Sequence, residues 1–132
     1  MKIIVNVDVP ELAPAIAFYT RALGLVHSRT LDDDVAELTG ASATIYLLQK
    51  DAGTPAVQSP SVERDYRRHW TPVHFDLVVD DVDAAAKRAL AAGARQETGR
   101  VDWRGSHCVS FGDPFGHGFC LIEFDQDGTY SK

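Results

Sequence analysis

The side chains able to do chemistry beyond packing gather in the second half of this sequence. His74 sits in an alternating apolar run, Val73 to Val79, and Cys120 in another, Phe119 to Phe124. Histidine offers a base near neutrality or a nitrogen ligand; cysteine offers a soft sulfur ligand. His107 and Cys108 adjoin one another on the stretch between, and strand alternation sends one to each face, leaving open which would meet a ligand. Ser106, Cys108 and Ser110 lack the strand-turn-helix elbow that activates a nucleophile, and the chain has no glycine-rich phosphate loop. Trp70, Trp103, Tyr46 and Phe124 are the aromatics suited to line a ligand cavity. Trp103 stands in a polar stretch, Val101 to Gly105, that reads as a loop where an indole could stack on a flat ligand. The basic and aromatic segment Glu63 to Trp70 is either a solvated, locally paired turn or a flap carrying Arg67 or Arg68 to an anionic group.

The elements that must position these groups occur twice. Val5, Val7, Val9 and Leu12 recur at one constant spacing as Phe75, Leu77, Val79 and Val82, and each set leads into a helical stretch, ending at Gly24 and at Gly93. The ends of the halves match as well, Ile45 to Asp51 with Phe119 to Asp125, which indicates a duplication. Leu12, Ile16, Tyr19 and Leu23 recur at helical steps, and Phe18 with Tyr19 falls on the helix that must cover a sheet. Strands are expected at Lys2 to Val9, Leu25 to Arg29, Val35 to Leu38 and Ala43 to Gln49, giving a βαβββ module over about residues 1 to 52. A connection follows over about 53 to 71, then a second module over about 72 to 126. There Val82, Ala86, Ala89 and Leu90 line a helix capped by Asp81 or Asp83. Its remaining strands are expected at Arg95 to Arg100, Ser106 to Phe111 and Phe119 to Phe124, the last two joined by the turn Asp113-Pro114-Phe115-Gly116. The copies differ where chemistry could live: His74 corresponds to Ile4, and Cys120 to Tyr46.

At 132 residues the chain suits one domain in which two modules share a core. A formal charge of -6 argues against nucleic acid as a partner, since phosphate binding needs a positive field. No apolar run reaches the roughly 18 residues of a membrane span, and Met1-Lys2 passes into a strand pattern without a secretory leader, so the expected place is the cytoplasm. Two cysteines, Cys108 and Cys120, make no framework of bridges and are expected as free thiols.

Three segments carry a family resemblance: Ala17-Phe18-Tyr19-Thr20-Arg21-Ala22-Leu23-Gly24-Leu25, His74-Phe75-Asp76-Leu77-Val78-Val79 with its helix, and Phe111-Gly112-Asp113-Pro114-Phe115-Gly116-His117. With the duplicated order they resemble the vicinal oxygen chelate superfamily, which includes glyoxalase I, bleomycin resistance proteins and extradiol dioxygenases. The resemblance implies an α+β fold of two tandem βαβββ modules forming a cup-shaped, partly open mixed sheet around a ligand cavity, and pairing into a homodimer. It places the metal ligands of the metal-using members at Ile4, Tyr46, His74 and Cys120, where the enzymes generally carry His or Gln and then Glu. Isoleucine donates nothing, Tyr46 would bind only as phenolate, and the Cys120 thiolate would select zinc or copper. Glu123 is the carboxylate nearest the last ligand place, yet alternation turns it away from Cys120, as a surface or helix-facing hydrogen-bonding residue.

The leading expectation is therefore a protein that binds a small organic molecule without cofactor, in a cavity lined by Tyr46, His74, Trp70, Trp103, His107, Cys120 and Phe124. The rival is a metal-dependent glyoxalase-like lyase or isomerase, or a dioxygenase, using a divalent ion on His74 with Cys120, Glu123 or His107 as replacement ligands. A third reading is catalysis without metal, with His74 as base beside Tyr46.

Overall fold

The computed structural model describes residues 1–126 and 128–132. Two compact units divide the chain, Met1–Arg67 and Arg68–Lys132.

In the first unit, β1 (Ile4–Val9), α1 (Leu12–Leu23), β2 (Val26–Leu31), β3 (Val35–Thr39) and β4 (Thr44–Gln49) follow the expected βαβββ order. The strands form a mixed sheet in the order β1-β4-β3-β2, with β1 parallel to β4. Helix α1 ends at Gly24, whose φ of 66° is the left-handed stop that a side chain would resist. Its buried positions are Leu12, Ala15, Phe18, Tyr19 and Ala22, a face rotated slightly from the expected one. Beneath it Val9, Ala36, Leu38, Ile45 and Leu47 are buried. Asp32 and Asp33, with φ of 49° and 63°, turn β2 into β3, which gives the aspartate cluster a backbone role. The connection, read from sequence without a period, contains a small hairpin of β5 (Pro55–Gln58) and β6 (Ser61–Glu63).

The second unit follows a similar plan with one more strand. β7 (Phe75–Val78) and α2 (Val82–Ala91) are followed by β8 (Arg95–Gln96), β9 (Val101–Trp103), β10 (Ser106–Gly112) and β11 (Gly118–Phe124). The sheet order is β7-β11-β10-β8, with β9 also paired to β10 and β7 parallel to β11. The strand expected from Arg95 to Arg100 shrinks to two residues. The stretch expected as a loop supplies β9 instead, because Arg104 and Gly105, with φ of 47° and 73°, form a tight hairpin turn. Asp81 caps α2 by accepting the amide of Ala84, and Val82, Ala85 and Ala89 pack inward. Between β10 and β11, the buried Asp113 carboxylate accepts the amides of Phe115 and His117, both at 2.8 Å.

The registers of the two units correspond. Val5 lies opposite Ile45 as Phe75 lies opposite Phe119, and Asn6 opposite Tyr46 as Asp76 lies opposite Cys120. A second shared detail ties the last strand to the helix. Gln49 accepts the Leu12 amide at 2.8 Å, and Glu123, its counterpart, accepts the Val82 amide at 2.8 Å. Each contact satisfies one of the orphan donors at a helix start.

Candidate functional site

Because Glu123 reaches α2, strand alternation turns Cys120, Ile122 and Phe124 to the other face of the second unit's sheet. The β10 register adds Cys108 and Ser110 to that face, and the β7 register adds Asp76. His74 precedes β7 by one residue and shares the parity of Asp76; its Nε2 lies 3.3 Å from Asp76 Oδ1. The ligand atoms of His74, Asp76 and Cys120 all lie within 4.8 Å of one another. Ser110 Oγ lies 3.2 Å from Cys120 Sγ. Burial pushes the Cys120 thiol up, and it pushes Cys108 up to about 12, so neither thiol is primed as a nucleophile.

The other candidates fall in different places. His107 is paired with Glu123 across the sheet, on the face opposite Cys108, and its ring bridges Asp102 at 2.7 Å and Asp125 at 2.8 Å. Trp103 lies at the end of β9, edge to face with Tyr130 at 5.0 Å, and Phe124 meets the same tyrosine at 5.0 Å. Trp70 is 79% exposed. Arg67 pairs with Asp65 in its own turn, whereas Arg68 forms a two-point pair with Glu97 at 2.6 and 3.0 Å. Gly112 and Gly118 make room for the Arg68 side chain: a Cβ on Gly118 would stand 2.9 Å from its Cζ.

In the first unit, Tyr46 and Glu37 are partners across β3 and β4, on the face turned from α1. The Tyr46 hydroxyl donates to Glu37 Oε2 at 2.7 Å, while Arg29 and Ser28 donate to the same carboxylate at 2.9 and 2.7 Å. These three bonds, that of Arg29 foremost, hold Glu37 down at about 2. The carboxylate in turn raises Tyr46, which stays a phenol. Ile4, at the remaining ligand place, is an exposed apolar side chain. Of the two places in the first unit, Ile4 therefore has no donor and Tyr46 has its hydroxyl proton committed to Glu37.

Sequence reasoning passed over Asp76. Part of the signal was present, since it stands two residues beyond His74 and so on the same strand side.

A family profile described as a glyoxalase-like domain matches residues 4–122. The chain belongs to the glyoxalase-like domain family. Its fold agrees with solved structures of the vicinal oxygen chelate superfamily. The genomically encoded fosfomycin resistance protein FosX of Listeria monocytogenes aligns with a TM-score of 0.72 at 18% identity, covering 97% of this chain and 96% of its own. A lactoylglutathione lyase from Agrobacterium tumefaciens aligns with a TM-score of 0.65 at 21% identity, covering 93% of this chain and 92% of its own. A mutant of the same FosX, complexed with Mn(II) and 1S,2S-dihydroxypropylphosphonic acid, aligns at 0.66 and 18% identity, covering 92% of this chain and 86% of its own. Comparison with curated protein sequences gave no match. No helix of the described residues is long and apolar enough to cross a membrane.

Proposed function

We propose that this glyoxalase-like domain binds a small organic molecule and does so without the four-ligand metal centre of the family's metal-using members. The observation that carries the reading is the Tyr46 hydroxyl held by Glu37, with Ile4 at the companion place. The ligand contacts are assigned to the face of the second unit that holds His74, Asp76, Ser110 and Cys120, with the aromatic Phe124 and Trp103 farther along. FosX, with the same fold, is named for resistance to a small molecule and was solved with a three-carbon phosphonate, which makes a ligand of that size the natural expectation.

The test is a thermal-shift screen of small aromatic, cationic and anionic compounds with a strong chelator present. Ligand at about 100 times its Kd stabilises the native state by about 2.7 kcal/mol, well within reach of the assay. At least one compound is expected to raise the midpoint in chelator. If every stabilising compound loses its effect there, the reading is overturned.

A second reading, a metal-dependent lyase, isomerase or dioxygenase, is favoured by the convergence of His74, Asp76 and Cys120. In it Asp76 takes the carboxylate role considered for Glu123, whose oxygen serves α2. It requires that His74→Ala abolish metal uptake and turnover together.

A further inference from the structure

Zinc bonds of about 2.0 to 2.3 Å in a tetrahedron hold nitrogen and oxygen donors about 3.4 Å apart, and sulfur about 3.6 Å from either. The His74 Nε2 to Asp76 Oδ1 separation, 3.3 Å, already matches the first of these edges. The thiol of Cys120 lies within 4.8 Å of both, so closing the third corner needs a movement of roughly 1 Å. His74 and Asp76 have the freedom to make it, with side chains 57% and 37% exposed. The backbone produces this convergence: His74 and Asp76 are two residues apart, and parallel pairing sets Asp76 opposite Cys120. Ser110, 3.2 Å from the sulfur, supplies the outer hydrogen bond that commonly orients a ligand.

We propose that the second unit alone binds one thiophilic divalent ion of the zinc class through His74, Asp76 and Cys120, leaving one coordination position open. A sulfur in the set selects zinc over magnesium and manganese, the hard ions that oxygen-rich sites hold. Three protein donors with a fourth position open is the pattern of zinc sites that take an exogenous water or substrate oxygen. The inference assigns an ion and its ligands; it shares with the second reading the place of the ion and requires no turnover.

The experiment uses the full chain, stripped with chelator and titrated with Co2+ as a spectroscopic stand-in, then with Zn2+ in competition. One Co2+ per chain is expected, with a near-ultraviolet thiolate-to-metal band and the intense visible bands of four-coordinate cobalt, all displaced by Zn2+. Cys120→Ser removes the near-ultraviolet band, while Cys108→Ser keeps it. His74→Ala and Asp76→Asn each weaken Zn2+ binding by at least about 100-fold. Far-ultraviolet circular dichroism confirms that each variant is folded, with Asp76→Asn the conservative arm should another variant fail. A missing band, a band that survives Cys120→Ser, or equal affinity for Mn2+ and Zn2+ overturns the proposal. Zinc bound without turnover upholds it and removes the second reading, while the ligand screen in chelator judges the first reading separately.

Discussion

His107 has a carboxylate within hydrogen-bonding distance of each ring nitrogen, Asp102 Oδ1 at 2.7 Å and Asp125 Oδ1 at 2.8 Å. An imidazole donates from both nitrogens only as the cation, and the bond to Asp102, followed by that to Asp125, raises its pKa. A folded-state value above the unfolded one stabilises the protein fully below about pH 6.5 and is lost as pH rises through the folded-state value. The thermal midpoint is therefore expected to fall as pH is raised from about 6.5 through that value, and His107→Gln to flatten the decline, measured by calorimetry across a pH series. The side-chain types of this cluster stand in the sequence, but their pairing does not. Asp125 lies 18 residues from His107, and only the β10–β11 register sets them together. Asp76 teaches the same point from the opposite side. Its parity with His74 was readable, whereas its place opposite Cys120 needed the parallel pairing of β7 with β11.

At the scale of elements, most strands and both helices follow from apolar alternation and helical spacing, bounded by Gly24, Gly93 and the Asp113 turn. The β5–β6 hairpin and the two-residue β8 did not, nor did two further features. The rotation of α1 toward Ala15, Phe18 and Ala22 is set by which side chains the sheet covers, which spacing alone does not measure. Strand β9 was hidden because its turn residues, Arg104 and Gly105, include an arginine at positive φ, a poor local signal for a hairpin. Strand parity did turn Glu123 away from Cys120, and the structure shows that its oxygen accepts the Val82 amide of α2. Glu123→Ala is expected to cost about 1 to 2 kcal/mol, since a partly buried amide loses a charged acceptor. Glu123→Gln should recover most of the loss, as Gln49 serves the equivalent Leu12 amide in the first unit. Urea unfolding of the two variants checks both values.

For the whole molecule, charge and duplication were the properties most plainly written. A net charge of -6 and an isoelectric point near 5.2 make copies of the chain repel one another at neutrality. Solubility is expected to pass through a minimum near pH 5.2, followed by turbidity, and to recover on either side. The same acidity predicts no shift of DNA or RNA mobility at low salt. The duplicated pattern forecast two βαβββ modules; the two units share the parallel pairing of first and last strands and the last-strand side chain that accepts each helix's first amide, while the second unit carries one more strand, β9.

By itself, the order of residues determined the repeated plan and the family, which depend on local spacing, and it put at Ile4 a side chain without a donor, a chemistry that no fold can change. Only the tertiary structure decided that Asp76, rather than Glu123, joins His74 and Cys120, and that His107 lies on the opposite face of the sheet. Pairing between strands brings together residues distant in sequence, and a shift of one residue in register would turn every side chain of a strand to the other face.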